Sequence, residues 1–414
     1  MNSGAPDDPT PRRLRAAAVC GFDPDGGEHR PGEVVVRGGR VIDAGPADAM
    51  RRRYGDVPEC DLGPRLLVPG FVNAHTHLEL TTIGPRAYGG DFVGWVEMLR
   101  SHWPGDGAAF AKRPDPDWFA TAAADGARQA VAAGTDAVGD ISRFDAVAEA
   151  RRGVGLAGVS FVEVFGLGPP WDADALARLR QPADGFQPHA PYSAGPAVFA
   201  AACDTGRPVS CHLAETPEEA EFVATGRGPF RDLLERLGKW SDDFADAYGD
   251  GLSPVRWMEP HLRRRPWLLA HCNYVDDDDI ALLSETGASV AFCPIASEYF
   301  GHPRKGQPPH RYRDMLAAGV NVCLGTDSIV CQPEEEPQPL GVLPQMRRLY
   351  RRDGTDPAML LRMATVNGRH ALGLGDAVTR LAALRFDLDD PTPALTQVMR
   401  RDDPAERHAA STAD

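Results

Sequence analysis

Eight short β-type runs recur between residues 68 and 327, and longer segments of helical character separate them. Strands that alternate with helices in this way form parallel β/α units. Eight units over roughly 300 residues fit the size of a (β/α)8 barrel. The sequence therefore predicts an α/β protein built on a (β/α)8 TIM-like barrel. The eight runs are Val68–His77, Thr135–Ile141, Gly158–Val164, Phe186–Ala190, Pro208–Ala214, Trp267–Cys272, Ala288–Pro294 and Asn321–Asp327.

Two of the intervening segments carry the boundary signals of helices. The Ala-rich segment 117–134 ends at Gly134, and the segment 276–287 begins with four aspartates and ends at Gly287. Carboxylates suit a helix N-terminus, and glycine is a frequent stop signal. Two further segments are unusually long, one between the first two runs and one at 227–265. We expect both to cover the mouth of the barrel.

The two ends of the chain differ from its centre. In the segment 32–45, two β-type runs flank Gly38 and Gly39, which predicts a hairpin. After residue 375 one short apolar run is followed by polar residues. We therefore divide the chain into residues 1–65, the first part of a small β domain; residues 66–374, the barrel; and residues 375–414, the second part of that domain. The last dozen residues are expected to be disordered.

The charge balance excludes several partners. The chain has 44 basic and 59 acidic residues, for a net charge of −15. A nucleic-acid backbone requires a basic surface, so no nucleic-acid partner is expected. No apolar signal segment opens the chain, and no stretch approaches the ~18 apolar residues of a membrane helix. We expect a cytoplasmic protein with reduced cysteines, no membrane partner and a small-molecule substrate.

His75 and His77 lie at alternate positions at the end of the first run. Alternate residues of a strand point to the same face, and the carboxyl ends of barrel strands form the active site. Two imidazoles placed there can bind one metal ion. Taken alone, the pair is equally typical of surface or core histidines.

Other strand ends carry residues of the same kind. His212 lies near the end of the fifth run and Glu215 directly after it, His271 lies near the end of the sixth, and Asp327 ends the eighth. A single buried histidine is normally a hydrogen-bonded core residue, but repetition at matching positions argues for a site. Three histidines and one carboxylate suit zinc or a similar divalent ion. Glu215 and His271 then remain to move protons and to orient a water.

Four motifs around these residues resemble the metal-dependent amidohydrolase superfamily. They are PGFVNAHTHLEL, CHLAET, LAHC and LGTDS, and the resemblance extends over Leu66–Leu374. Within that superfamily, the motifs are most similar to those of the branch of cytosine and adenosine-derivative deaminases. The resemblance implies a barrel with a small β domain made from both termini, and one divalent ion, with zinc expected and iron or manganese as alternatives. It implies His75, His77, His212 and Asp327 as ligands, and Glu215, His271 and Asp327 as catalytic residues.

The lysines distinguish this chain from other branches of the superfamily. Many members hold two metals through a carboxylated lysine on the fourth strand. This chain has only Lys112, Lys239 and Lys305, none of them in a β-type run, and the fourth run carries His189. A two-metal cyclic amidase or phosphotriesterase is therefore not expected, and a one-metal deaminase is.

The loops resemble those of aminodeoxyfutalosine deaminases, which act on a 6-aminopurine nucleoside in menaquinone biosynthesis. The similar segments are DFVGWVEMLRSH, PHAPYSAG and HLAETPEEAEFVATGRGPFRDLLERLG. The resemblance implies that His189, Trp95 and Arg100 contact the substrate, although simple helix packing is an equal alternative for Trp95. Relatives often carry an arginine where this chain has Ile295.

Two alternative functions remain open. The first is a hydrolase that removes chloride or an alkylamine from a triazine-like or pterin-like ring at the same metal site. The second, of another class, is a non-catalytic barrel that serves as a binding module. The sequence does not fix the oligomeric state, and a homodimer is possible because such barrels often dimerise.

Overall fold

The computed structural model describes residues 10–23, 27–105, 108–109, 112, 114–168, 171–240, 242–375 and 378–409. It has the mixed α/β content that the sequence predicts. The strands are β1 (Arg12–Ala16), β2 (Ala18–Cys20), β3 (Glu28–His29), β4 (Gly32–Arg37), β5 (Arg40–Pro46), β6 (Glu59–Asp61), β7 (Arg65–Pro69), β8 (Phe71–Thr76), β9 (Thr135–Ser142), β10 (Ala157–Val164), β11 (Gly185–Pro188), β12 (Ser210–Leu213), β13 (Leu268–His271), β14 (Ser289–Phe292), β15 (Asn321–Leu324), β16 (Arg380–Arg385) and β17 (Glu406–Ala409).

Helices fill the segments between the central strands. The α-helices are α1 (Ala47–Arg53), α2 (Phe92–Ser101), α3 (Pro116–Ala132), α4 (Asp145–Gly153), α5 (Asp172–Arg178), α6 (Pro196–Asp204), α7 (Pro217–Thr225), α8 (Pro229–Arg236), α9 (Pro254–Trp257), α10 (Glu259–Leu262), α11 (Asp277–Glu285), α12 (Pro294–Tyr299), α13 (Tyr312–Ala317), α14 (Leu343–Asp353), α15 (Pro357–Met363), α16 (Val366–Ala371) and α17 (Ala394–Arg400). Two 3-10 helices cover Leu78–Ile83 and Asp242–Ala247.

The eight central strands form two parallel sheets of four, in the orders β11-β10-β9-β8 and β12-β13-β14-β15. Each strand pairs with its neighbour in the chain, as β/α units do. Two isolated parallel bridges connect the edges of the two sheets. One joins Thr76 to Asp327, and the other joins Phe186 to Val209. Both edges of each sheet are therefore linked to the other sheet.

The first predicted run is two strands rather than one. Val68 and Pro69 belong to β7, which pairs with β16 and β2, whereas β8 begins at Phe71. Gly70 separates the two strands. A Cβ atom on Gly70 would lie 2.7 Å from the Cβ of Asp136 and 2.9 Å from the carbonyl oxygen of Arg380. Only glycine fits this close approach, which explains why an apparently continuous apolar run changes sheets there.

Two further sheets lie outside the central strands. The sheet β5-β4-β1-β6 is built from N-terminal strands alone, and the sheet β17-β16-β7-β2-β3 joins strands from both ends of the chain. The predicted hairpin is present between β4 and β5, where Gly38 and Gly39 have φ values of 53° and 69°. Such positive values are those of a type I′ turn. The expectation of a disordered tail is wrong for Glu406–Ala409, since β17 pairs with β16. Residues 410–414 of that tail lie outside the described residues.

The two helices predicted from their boundary signals are present. Asp115 caps α3 by accepting a bond from the backbone N–H of Asp117, and the chain leaves the helix at Gly134, where φ is 81°. In α11, Asp276 and Asp279 form a capping box. The aspartates therefore satisfy the backbone donors at the helix start, as predicted.

In the described part of the chain, no helix has both the length and the apolar character needed to cross a bilayer. All eight cysteines are free thiols.

Candidate active site

Six residues from the two parallel sheets meet at the carboxyl ends of their strands. We call them the floor. His75 lies in β8, His212 in β12 and His271 at the last position of β13. His77 directly follows β8, Glu215 lies two residues after β12, and Asp327 lies three residues after β15. The floor consists of His75, His77, His212, Glu215, His271 and Asp327. The structure thus brings together every residue that the sequence placed in the metal and catalytic groups.

Three histidines of the floor can act as ligands of one ion. The candidate ligand nitrogens of His75, His77 and His212 lie within 4.8 Å of one another. Asp327 Oδ1 is 3.8 Å from His75 Nε2 and 3.5 Å from His77 Nε2. Burial first, and then the neighbouring histidines, hold the pKa of His75 and of His77 well below the ordinary value. Both rings are therefore neutral, the form that binds a metal.

The hydrogen-bonding state of His75 and His212 agrees with a metal site. His75 is fully buried, and neither of its ring nitrogens has a hydrogen-bond partner. Leaving such a group unsatisfied costs about 1–3 kcal/mol, which a bound cation would offset. His212 Nδ1 lies 3.1 Å from the carbonyl oxygen of His189. The side-chain Nε2 of Gln187 lies 3.2 Å from the same Nδ1. With its proton on Nδ1, His212 would donate to the His189 carbonyl and keep the lone pair of Nε2 for a cation.

The other side of the floor contains the groups that can move protons. Oxygen and nitrogen atoms of Glu215, His271 and Asp327 lie within 4.8 Å of one another, and Glu215 Oε1 is 3.6 Å from His271 Nε2. Burial, followed by the charges of Asp327 and Glu219, raises the pKa of Glu215 well above its usual range. Burial raises the pKa of Asp327 to about 6. Such a Glu215 can hold a proton at neutral pH and deliver it to a substrate.

The backbone around the floor is strained. Among the described residues other than glycine, positive φ values occur at Ala214 (50°), His271 (75°), Cys272 (50°) and Asp327 (59°). All four lie at the end of a central strand or within three residues after it. Such conformations cost about 1–3 kcal/mol each and persist where the surroundings impose them. Their concentration at one end of the sheets marks this end as the functional one.

A cavity of about 580 Å³ lies above the floor. Its polar wall joins His189 to three residues that the sequence interpretation missed. His189 Nε2 is 3.8 Å from Glu163 Oε1, and Arg143 Nη2 donates to Glu163 Oε2 at 3.2 Å. The backbone N–H of Arg143 donates to Glu79 Oε2 at 2.8 Å. Glu163 is the last residue but one of β10 and Arg143 directly follows β9, so their positions at strand ends are the sequence signal that points to them.

Burial perturbs these wall residues as well. It raises the pKa of Glu79 to about 8 and also raises the pKa of Glu163. It lowers the pKa of His189 to about 3. His189 Nδ1 lies 2.6 Å from Ser193 Oγ, and that hydroxyl donates to the Ala190 carbonyl. Ser193 therefore holds the His189 ring through Nδ1, and Nε2 lies on the side of Glu163.

The outer part of the cavity is mainly apolar, and we call it the chamber. Both long segments line it, through α2 and through α8 with the residues after it. Trp95 lines the chamber and packs edge-to-face on Phe300 at 5.0 Å, so the packing interpretation is confirmed and contact with a substrate stays a prediction. Arg100 lies 4.2 Å above the ring of Trp103, and burial lowers its pKa to about 10. The chamber consists of Phe92, Trp95, Leu99, Arg100, Trp103, Phe165, Trp171, Tyr192, Phe230, Leu233, Leu234, Leu237 and Phe300.

Comparisons with known proteins agree with this geometry. The amidohydrolase family model matches residues 66–383. A 5-methylthioadenosine/S-adenosylhomocysteine deaminase of Syntrophobacter fumaroxidans is 27% identical over 399 residues, 89% of this chain and 81% of that protein. The aminodeoxyfutalosine deaminase of Deinococcus radiodurans is 30% identical over 383 residues, 84% of this chain and 83% of that protein.

The solved structures agree at the level of the fold. The aminofutalosine deaminase of Helicobacter pylori superposes with a TM-score of 0.76 at 18% identity, and the match covers 97% of this chain and 99% of that one. The predicted resemblance to the deaminase branch is confirmed, as is the prediction of a hydrolase that acts on carbon–nitrogen bonds. On the match over residues 66–383, the chain belongs to the amidohydrolase family.

Proposed function

We propose that this protein is a metal-dependent hydrolytic deaminase of a 6-aminopurine nucleoside. The observation that carries the proposal is the floor, where a cluster of three neutral histidines adjoins a buried acid whose pKa is raised. The deaminase relatives support the same reaction type. Hydrolysis of an aminated ring needs a nucleophilic water and a proton donor to the ring, and the floor offers residues for both tasks.

The proposal includes the closure of the two parallel sheets into one eight-stranded barrel. The bridges Thr76–Asp327 and Phe186–Val209 support closure because they lie at both junctions between the sheets. The floor supports it as well. His75 belongs to one sheet and His212 to the other, yet their ring centroids are only 5.0 Å apart.

One divalent ion would be held by His75, His77, His212 and Asp327, and we propose zinc. Three imidazoles and a carboxylate are a donor set that zinc accepts. When bound, such an ion lowers the pKa of water toward neutrality. Among the described residues, neither ring nitrogen of His75 has a hydrogen-bond partner, and a bound cation would satisfy one of them.

The chain's own residues would then move the protons. His271 and Asp327 orient the attacking water and take its proton. The water oxygen forms a bond to C6 of the purine while Glu215 protonates N1, so that charge does not accumulate on the ring. The proton from the water goes to the amino group as its bond to C6 breaks, and ammonia leaves. N1–H stays on the 6-oxopurine product, and the second proton of the attacking water leaves O6 for Glu215, which is thereby protonated again.

For the substrate we favour aminodeoxyfutalosine, which would place the protein in menaquinone biosynthesis. The aromatic chamber supports a nucleoside with an apolar extension at its 5′ position. In this proposal Trp95 packs on that extension and Arg100 binds a polar or acidic group on it. His189 and Glu163, at the wall between floor and chamber, are placed to bind sugar hydroxyls.

An ammonia-release screen on metal-replete protein tests the proposal. The compounds are aminodeoxyfutalosine, 5′-methylthioadenosine, S-adenosylhomocysteine, 5′-deoxyadenosine and adenosine, together with chloro- and alkylamino-triazines and pterins. We expect ammonia from the nucleosides and the highest kcat/KM with aminodeoxyfutalosine. The Glu215→Gln variant serves as control and should keep its metal while losing about 10²- to 10⁴-fold in kcat. Release of chloride or alkylamine from triazines alone would instead support the alternative hydrolase.

A further inference from the structure

Glu219, which does not line the cavity, makes two hydrogen bonds to the backbone at Glu215. It lies in α7 and is fully buried. Its Oε1 accepts from the N–H of Ala214 at 3.0 Å, and its Oε2 accepts from the N–H of Glu215 at 2.8 Å. One carboxylate therefore spans two consecutive peptides at the end of β12. Bonds from backbone N–H groups to a carboxylate are among the stronger hydrogen bonds of proteins.

Asn273 holds the same residue from its other side. Its Nδ2 donates to the carbonyl oxygen of Glu215 at 3.0 Å. The orientation of this amide is fixed, because Ser297 Oγ donates to Asn273 Oδ1 at 2.8 Å. Asn273 and Ser297 are both buried. The backbone of Glu215 is thus bonded at its N–H by a side chain from α7 and at its C=O by a side chain from the loop after β13.

The backbone at this point needs such support. Ala214 has a φ of 50°, which costs a residue with a Cβ about 1–2 kcal/mol relative to its ordinary conformation. This dihedral determines the direction in which the Glu215 side chain leaves the chain. The direction observed puts Glu215 Oε1 at 3.6 Å from His271 Nε2. Relaxation of Ala214 to a negative φ would turn the carboxyl group away from the cavity.

We propose that Glu219 and Asn273 are positioning residues that fix the Glu215 backbone and so aim its carboxyl group at the substrate. The inference rests on the proposed function for the role of Glu215. In this arrangement α7 and the loop after β13 act as a two-sided clamp, and the strain at Ala214 is imposed by it. The clamp places the acid without itself touching the substrate.

The first test uses Glu219→Gln and Asn273→Ala, assayed with 5′-deoxyadenosine and 5′-methylthioadenosine. We expect each to lower kcat about 10- to 100-fold, with metal content unchanged and KM changed less than threefold, the size usual for outer-shell partners. In a Glu215→Gln background the same changes should cost less than threefold, because the group that they position is already absent. Multiplicative losses in the double variants, or wild-type kcat in both single variants, would overturn the proposal.

Asp136→Asn is the matched control. Asp136 is also a buried carboxylate, bonded to Arg369 and Thr379, but it lies at the amino end of β9, opposite the floor. Its replacement should lower the melting temperature and leave kcat within threefold of wild type. An equal loss of kcat in this control would show that Glu219→Gln acts through stability alone.

Amide hydrogen exchange tests the clamp independently of turnover. Glu219→Gln should accelerate exchange at Ala214 and Glu215 and leave the amides of α11 unchanged. Unchanged exchange at these two positions would overturn the clamp. A wild-type protein that deaminates no nucleoside, yet shows this pattern of exchange, would contradict the proposed function and leave the clamp standing.

Discussion

The floor and the chamber are two halves of one cavity, and they are built in opposite ways. The floor is polar and deeply buried, and its side chains leave the backbone at or just beyond the ends of parallel strands. The chamber is apolar, and many of its side chains come from α2, α8 and the loops around them. Strands that pair with a neighbour on both sides hold reactive groups in place. Helices over the mouth can vary in sequence without disturbing these groups. This difference predicts that the reaction depends on the floor and that the choice of substrate depends on the chamber.

The largest expected effect follows the loss of a floor ligand. His75→Ala removes an imidazole that no protein group satisfies, and the remaining two histidines and one carboxylate would hold a divalent ion poorly. We expect loss of the bound ion and of ammonia release, while the circular dichroism spectrum stays that of the wild type. Elemental analysis of the purified variant measures the metal.

Trp95→Ala is the matched change in the chamber. It should keep the full metal content, since Trp95 is bonded to Tyr299 and packs on Phe300, away from the ligand cluster. A full complement of metal in His75→Ala would contradict the assignment of this histidine as a ligand. Loss of metal in Trp95→Ala would contradict the separation of the cavity into two halves.

The two halves also differ in how far the sequence predicts them. His75, His77, His212, Glu215, His271 and Asp327 could be assigned because strand ends are readable from short apolar runs. The chamber depends on how helices pack over the mouth, and local patterns do not specify that packing. Arg143 and Glu163 lie at strand ends as well, but one residue of each kind gives no repeated signal. The division of the first run at Gly70 depends on contacts with Asp136 and Arg380, which are distant in the sequence.

A smaller effect is expected from Arg100 in the chamber. Arg100→Met keeps much of the apolar stem that packs near Trp103 and removes the charge. If Arg100 binds an acidic group of the substrate, the loss of about 1.5–3 kcal/mol should raise KM about 10- to 100-fold. kcat should stay within threefold, because the floor is untouched. Steady-state kinetics with aminodeoxyfutalosine measures both constants.

Adenosine provides the control for Arg100→Met within the same experiment. It lacks the 5′ extension, so its kcat/KM should be the same in the variant and in the wild type. A fall in kcat for both substrates would show that Arg100 takes part in the reaction at the floor. It would contradict the assignment of substrate choice, and not catalysis, to the chamber.

The smallest effect at neutral pH concerns a buried histidine that belongs to neither half. His261 lies in α10 beside Phe199, and its Nδ1 is buried without a hydrogen-bond partner. Burial first, and then the charge of Arg264, lowers the pKa of His261 to about 4. Like His75, it is a neutral, buried imidazole, but it belongs to no cluster of three or more candidate ligands among the described residues. A comparison of His261 with His75 therefore separates the effect of burial on stability from the effect of a bound metal.

The sign of the pH effect at His261 follows from its lowered pKa. Above about pH 6.5 the histidine is neutral in the folded and in the unfolded chain, so it contributes no pH dependence. As the pH falls from 6.5 toward 4, His261 binds a proton in the unfolded chain but not in the folded chain. The free energy of unfolding then decreases, by at most on the order of 3 kcal/mol, and the decrease stops once the folded protein is also protonated.

His261→Phe should remove this part of the decrease and leave turnover at pH 7 unchanged. Urea titrations of both proteins between pH 7.5 and about 4, at several fixed zinc concentrations, measure the difference. The difference should be the same at every zinc concentration, because His261 binds no ion, whereas the stability contributed by the floor should rise with zinc. A difference that changes with zinc would show that the two kinds of buried histidine are coupled.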